Sequence, residues 1–315
     1  MLSRRRIVVG KVEGAEGVME ALVVGDAGIL AIDPKFDADF KMHERTNQLN
    51  SLSPLAPIPG ARSAKITFKA EVKGAGAAYS ALIKPALSPF LRACGFAETV
   101  DLTAGAEKVT YLPASSGVPT LTIFVYEDGM IKKARGCRGN VKFSGKMGEP
   151  VMAEFDFTGV YDSAVDGAML SPTFEATIPP LLLGNVLTLD AYAMIAESIS
   201  FDMGNALQLR PSISAPDGYL SALLTARKPV GKLDPEMVTV ATYDFFGKWK
   251  AGAAAALVLG PIGPDDAYNK FTITAPKVVY SKVGEGDRAG NMTADLDFTL
   301  SRNTGDDEIK LEFVK

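Results

Sequence analysis

The sequence predicts a mainly β (α+β) protein with two tandem β-sandwich or barrel domains, each with a flanking α-helix. Segments that alternate polar and apolar residues recur along the 315-residue chain, and this period of two is typical of half-buried strands. The chain is also rich in turn formers, with 30 glycines and 19 prolines. We predict an extended N-terminal arm over residues 1–60, a first domain over 61–170 and a second over 171–315.

The first domain is predicted to begin with a strand over Lys65–Lys73, in which Ile66 and Phe68 face the core. Apolar residues at three- and four-residue steps then predict a helix over Tyr79–Cys94, with Gly95 as its C-terminal cap. The remaining strands are predicted at Glu107–Leu112, Thr120–Tyr126, Met130–Phe143 and Val151–Tyr161. Asp128-Gly129 predicts a tight hairpin turn between two of them.

The second half has a similar order. Strands are predicted at Ser198–Ser214, Tyr219–Arg227, Ala253–Leu259, Phe271–Ala275, Val278–Val283 and Met292–Ser301. Asp234-Pro235-Glu236 has the features of a helix start, and the buried stripe of that helix would be Met237, Val240, Ala241, Phe245 and Trp249.

A weak internal repeat links the halves. Val151–Thr158 reads VMAEFDFT, and Met292–Thr299 reads MTADLDFT. Both segments are predicted to be the final strand of their half. Two copies of one β-sandwich unit would explain the similarity and the common order.

Composition and motifs exclude several classes of function. A formal net charge of -4 argues against a protein that grips nucleic acid. Cys94 and Cys137 are expected to be reduced, packed thiols, and the single histidine, His43, lacks neighbours typical of catalysis or zinc binding. Cationic flanks could instead lower the pKa of Cys137. We expect no enzyme activity and no cofactor.

Two further expectations concern the location of the chain and its N-terminal arm. No run of about 20 apolar residues predicts a membrane span, so we expect a soluble protein made in the cytoplasm. The arm combines apolar residues with prolines, which remove backbone donors: Leu52, Pro54, Leu55, Pro57 and Ile58. We predict that part of residues 34–60 packs on an adjacent subunit. The alternatives are an arm folded back on its own domain and a disordered terminus.

Two stretches in the first half carry a resemblance to a known family. Tyr126–Val141 reads YEDGMIKKARGCRGNV, and Ala153–Gly159 reads AEFDFTG. Together they resemble the major tail tube proteins of long-tailed bacteriophages. The resemblance implies tail-tube-type domains and a structural virion protein, whose subunits close rings through their sheets. A duplicated domain implies trimeric rings with pseudo-sixfold symmetry, stacked into the tube that delivers DNA.

The resemblance also implies partners and a location. The partners are the chain itself, the tape measure protein, the tail terminator and the distal tail proteins. DNA would pass through the lumen without specific binding. The location is the virion tail, after assembly in the host cytoplasm. Two alternatives stay open: a tube protein of a tailocin or contractile secretion system, and a carbohydrate-binding or adhesin module. Trp249, the only tryptophan, lies in a predicted buried stripe, which counts against a sugar platform.

A DNA channel places a constraint on the charges of its wall. Lysines and arginines on the wall would hold phosphates, whereas carboxylates would repel them. On the two repeated strands, four acids alternate with core residues, and we predict that they face the lumen: Glu154, Asp156, Asp295 and Asp297. The alternative is that these acids face the solvent outside the tube.

Overall fold

The computed structural model describes residues 2, 4–26, 29–172, 174–265 and 267–315. It is mainly β, with two short α-helices in the described chain, which confirms the prediction of a mainly β fold. The strands are β1 (Arg6–Val12), β2 (Ile32–His43), β3 (Ile58–Glu71), β4 (Phe96–Asp101), β5 (Lys108–Pro113), β6 (Leu121–Glu127), β7 (Met130–Lys146), β8 (Met152–Asp166), β9 (Leu187–Leu189), β10 (Tyr192–Ala193), β11 (Ala196–Asp202), β12 (Asn205–Pro211), β13 (Tyr219–Arg227), β14 (Val230–Pro235), β15 (Ala255–Ile262), β16 (Lys270–Arg288), β17 (Asn291–Leu300) and β18 (Lys310–Val314). The helices are α1 (Ser88–Ala93) and α2 (Phe245–Ala251).

One antiparallel sheet runs through both halves of the chain. Its main path follows the order β10-β9-β15-β16-β17-β14-β11-β7-β8-β3-β2. β1 adds to β6, while β18 pairs with both β16 and β5. β12 and β13 form a separate hairpin. The halves are therefore joined by backbone hydrogen bonds rather than by a linker alone.

The two halves have the same local strand order. In the first half the order is β3-β8-β7-β6, and α1 lies between β3 and β6 in the chain. In the second half the order is β14-β17-β16-β15, and α2 lies between β14 and β15. β11 pairs with β14 on one side and with β7 on the other, so it connects the two sets.

Alternation along the strands places the core on one face of the sheet. On β3 and β8, Phe68, Phe155 and Phe157 form an aromatic cluster with Phe90 of α1, with ring centroids 5.1 to 6.1 Å apart. The side chains of β11, β14 and β17 continue this core into the second half without a break. The opposite face of the same strands carries polar side chains.

Both helices differ from their predicted extents. Residues 79–87 are not helical, and α1 begins only at Ser88, with Pro89 in its first turn. Pro85 and Pro89 explain this, because a proline inside a helix removes a hydrogen bond and clashes with the preceding turn.

The predicted helix start at Asp234 is wrong. Asp234 belongs to β14, and its carboxylate accepts hydrogen bonds from the backbone amides of Glu197 and Ser198. That carboxylate therefore fixes the start of β11 instead of capping a helix. α2 begins ten residues later, with Asp244 as the N-cap that accepts from Gly247 N.

The N-terminal 60 residues are less irregular than expected. β1 is a fully paired strand beside β6, with Val8 and Val9 buried. β2 pairs with β3, and β3 begins at Ile58, earlier than predicted. The part of the predicted arm that remains outside the sheet is the connection between β2 and β3.

Buried polar contacts hold segments that lie far apart in the sequence. Arg227 on β13 pairs with Asp306 at 2.7 Å and Glu308 at 3.2 Å, and it donates to the carbonyl of Ala114 in the first half. Its side chain is 10% exposed. The largely buried guanidinium of Arg227 thus donates to the carboxylates of Asp306 and Glu308 and to the Ala114 carbonyl. Its loss would leave the Glu308 carboxylate without a partner.

We predict that Arg227→Met lowers the free energy of unfolding by about 2 kcal/mol, because a buried carboxylate loses its partner. Urea denaturation with linear extrapolation measures the change. Arg210→Met is the control, because Arg210 is half exposed and its distance to Glu16 is as long as 3.8 Å. An ion pair of this kind at the surface contributes less than about 1 kcal/mol to stability. Equal losses in the two variants would contradict the prediction.

Candidate assembly surfaces

The four predicted acids lie on the polar face of the sheet. Glu154 and Asp156 project from β8 between buried residues, and Asp295 and Asp297 do the same on β17. Both pairs are on the face opposite the core. Three strands separate β8 from β17, so the pairs lie roughly 19 Å apart at the usual strand spacing. They share one surface but do not form a single cluster.

Each of three of these acids has a lysine partner on the next strand. Lys69 pairs with Glu154. Lys65 lies 2.9 Å from Asp156, and Lys232 lies 3.2 Å from Asp297. The hydrogen bond that Lys69 donates to Glu154, together with the negative charge of that carboxylate, raises the pKa of Lys69, which keeps this lysine cationic. The polar face is therefore of mixed charge rather than uniformly acidic.

The strand register extends this alternation. Lys69 stands opposite Glu154, Glu154 opposite Lys142, and Lys142 opposite Asp202 across β3, β8, β7 and β11. Directly opposite residues on antiparallel strands lie about 4.5 to 5.5 Å apart. The row of four charges thus alternates in sign along the hydrogen-bonding direction.

Two of the strand edges that lack a full partner in the described chain belong to β2 and β16. β2 pairs with β3 on one side only. β16 pairs with β17 over residues 278–288, while its other side is covered by β15 only over residues 271–278. Unpaired edges present rows of free backbone donors and acceptors, which template association with another chain.

The predicted arm residues project from the sheet. The connection between β2 and β3 spans residues 44–57, and its side chains are exposed except for Leu55, which is half-buried. Leu52 is fully exposed, and Ile58 at the base is also exposed. A single chain therefore leaves this apolar segment uncovered.

Both cysteines are buried packing residues. Burial raises the pKa of the Cys137 thiol well above its ordinary value, and the Glu13 charge adds to this, while Arg135 opposes it. Burial likewise raises the pKa of Cys94. The interpretation of Cys137 as a small packed residue is confirmed, and a reactive thiolate at this position is not.

The sequence pattern did not predict the most open features of the fold. It missed β2 and the free edge of β16, because an uncovered edge depends on strand order, which one sequence does not display. Within the described ranges, no three His, Cys, Asp or Glu side chains come together as a metal site. Neither described helix has the length and apolarity needed to cross a membrane.

We predict that Cys94 and Cys137 react with a soluble thiol reagent on the order of 100-fold more slowly in the native protein than in urea. In the native protein the reagent can reach the thiolate only after the surrounding structure opens locally. The measurement is the rate of labelling followed by mass spectrometry. Rapid labelling of either thiol in the native protein would contradict the buried positions.

The comparisons with known proteins agree with the mainly β fold. A family model described as phage tail tube protein matches residues 45–300, which is most of the chain. A search of curated proteins finds no match. The family match begins in the β2–β3 connection and ends at the last residue of β17. The chain belongs to the phage tail tube protein family.

Proposed function

We propose that the chain polymerises as stacked trimeric rings with pseudo-sixfold symmetry, which form the hollow tail tube through which phage DNA is delivered. The observation that carries this proposal is the junction between the two halves. There β11 lies between β14 and β7, and backbone pairing makes the sheet continuous. The two free edges are placed so that a second copy could form the same junction.

The first free edge, β2, corresponds to β11. Phe36 of β2 stands opposite Ile66 of β3, and Phe201 of β11 stands opposite Gly231 of β14. Both phenylalanines are buried, and each is followed by an aspartate. β2 therefore relates to the first half as β11 relates to the second.

The second free edge, on β16, corresponds to the edge of β7 that β11 occupies. Lys142 of β7 stands opposite Glu154, and Gly284 of β16 stands opposite Asp295. Since Asp202 of β11 pairs with Lys142, the equivalent contact would place Asp37 of one copy opposite Gly284 of its neighbour.

This pairing closes a ring without leaving long edges exposed. Each chain would contribute one internal junction and one junction between copies, so three chains would provide six similar junctions. Six is the number of single domains in the simple rings that the sequence resemblance implies. We propose that two tube domains, over residues 61–170 and 171–315, are the repeating units of this scheme. Rings then stack head to tail into a filament.

The polar face is proposed to line the channel. Glu154, Asp156, Asp295 and Asp297 repel phosphates, and the neighbouring lysines are matched by carboxylates, so no continuous positive stripe is offered to DNA. The role is structural and needs no chemical step or cofactor.

We propose that the chain assembles in the host cytoplasm with the tape measure, terminator and distal tail proteins as partners.

We predict that Asp37→Cys combined with Gly284→Cys gives covalent trimers on oxidation. Directly opposite residues on paired strands have Cα separations that suit a disulfide. A side chain at Gly284 would make only ordinary contact with Asp295. The measurement is electrophoresis without reductant, which shows whether the crosslinked series ends at three chains.

The control for this crosslink combines Asp37→Cys with Asp265→Cys, which lies in an exposed turn. It is expected to stay monomeric, as is each single variant. A series that ends at six chains would contradict the trimer. Monomers alone, from protein that assembles, would contradict the proposed junction.

We predict that replacing the four acids by amides (E154Q, D156N, D295N and D297N) makes assembled tubes bind short duplex DNA, with an affinity that falls as salt rises. The lysines of the polar face would then lack neighbouring carboxylates. Fluorescence anisotropy with a labelled duplex measures binding. The control removes four acids elsewhere (D101N, D166N, D190N and D265N). Equal binding by both sets would show that the polar face is not the channel wall.

A further inference from the structure

The β12–β13 hairpin is the second-half counterpart of the outer parts of β2 and β3. Phe40 of β2 stands opposite Arg62 of β3, and Asn205 of β12 stands opposite Arg227 of β13. Phe40 and Asn205 each lie four residues after the equivalent phenylalanines of β2 and β11. Within the next two residues, the register of each hairpin shifts in the same direction. What the β12–β13 hairpin contacts inside the chain therefore predicts what β2 and β3 contact in a neighbouring copy.

The β12–β13 hairpin covers the C-terminal end of α1 in the first half. The side-chain amide of Asn205 donates to the carbonyl of Cys94, the residue that follows α1, at 2.7 Å. Leu224 of β13 comes so close that a Cβ atom at Gly95 would lie 3.1 Å from its Cδ1. Cys94 and Gly95 are both buried. The second half of the chain thus buries the end of the helix in the first half.

The C-terminal end of α2 has the same form but is open. Gly95 and Gly252 each follow a helix with a left-handed backbone, at φ values of 89° and 60°. A Cβ atom at Gly252 would meet no other part of the described chain within 4 Å. Trp249, three residues earlier, is 40% exposed, and Phe246 on the same face is 44% exposed. An aromatic pair that is open to water in one chain is typical of a contact surface.

The side chains that would cover α2 in this way are apolar as well. Phe40, which takes the place of Asn205, is 40% exposed, and Met42 is 50% exposed. On the helices, Trp249 takes the place of Arg92. The contact inside the chain is therefore polar, whereas the corresponding surfaces on two copies are both apolar. This difference favours the pairing of like with like at each kind of junction.

We propose that Phe40 and Met42 of one copy pack against Trp249, at the C-terminal end of α2, of the neighbouring copy in the same ring. This inference rests on the proposed ring, in which β2 of one copy lies beside β16 of the next. The occupant is a second copy of this chain, because the contact continues that junction as the β12–β13 hairpin continues the junction at β11. Closure of the ring then buries the single tryptophan of each chain.

The first test uses the fluorescence of Trp249, the single tryptophan. In the covalent trimer of Asp37→Cys with Gly284→Cys, its emission is expected to shift to shorter wavelength than in dilute monomers. Quenching by acrylamide is expected to fall, because the indole ring leaves water. Adding Phe40→Ser or Met42→Ser to the trimer should remove most of the shift. Leu102→Ser is the control that should keep it, since Leu102 is an exposed apolar residue outside both surfaces.

Two variants are needed because Phe40 also has a contact in its own chain. Its ring lies 5.0 Å from that of Tyr161, edge to face, so Phe40→Ser changes the free chain as well. Met42 is half exposed, and its replacement leaves the Tyr161 contact in place. A trimer of the Met42→Ser variant that keeps the full shift would contradict the inference.

The second test is a crosslink between the two surfaces. Phe40 and Ala251 take the places of Asn205 and Cys94, which are in direct contact. Oxidised rings of Phe40→Cys with Ala251→Cys are therefore expected to give covalent trimers. Each single variant, and Phe40→Cys with Leu102→Cys, should give monomers. Rings that yield no such crosslink would overturn the inference.

The outcomes separate this inference from the proposed function. Covalent trimers with unchanged Trp249 emission would overturn the inference alone. A shift that arises only when rings stack into tubes would also overturn it, because the cover would then come from the next ring. A wild-type chain that forms no rings would reject the proposed function and this inference with it.

Discussion

The need to pair strand edges is the constraint on which the rest of this structure depends. The apolar face of an antiparallel sheet is buried by side-chain packing, but the free N–H and C=O groups at its edges are best paired with the backbone of another strand. Inside the chain, β11 solves this by pairing with β7 and β14 at once. β2 and the far part of β16 are each paired on one side only. A single chain therefore leaves these two edges without the second partner strand that β11 has.

Alternation along the strands divides the two faces between two tasks. One face holds the main hydrophobic core, which runs from the first half into the second. The other carries rows such as Lys69, Glu154 and Lys142, which alternate in sign across strands. Like charges placed directly opposite would destabilise the sheet. The same pairing that stabilises the sheet also prevents a strip of one charge on its polar face.

The sequence was most informative where one face of a strand is buried. Period-two alternation located half of β3 and most of β7, β8 and β17, and Asp128-Gly129 located a hairpin turn with positive φ at both residues. It also placed the four acids opposite the core, but not beside lysines, because register between strands depends on distant segments. The helices failed for local reasons: prolines shortened α1, and the tertiary contacts of Asp234 overrode its capping pattern.

The composition of β2 explains how its free edge can avoid non-specific pairing with strands of other molecules. Its exposed positions carry Lys35, Asp37, Asp39 and Lys41, and Pro34 lies near its start. Charges and a proline disfavour pairing with an arbitrary apolar strand. The free edge of β16 offers Gly284 and Gly286, which leave space beside charged neighbours. An edge with such residues pairs best with a strand of complementary shape and charge. The pairing of β11 with β7 and β14 shows what such a strand is like. Specific association and protection from aggregation therefore follow from the same residues.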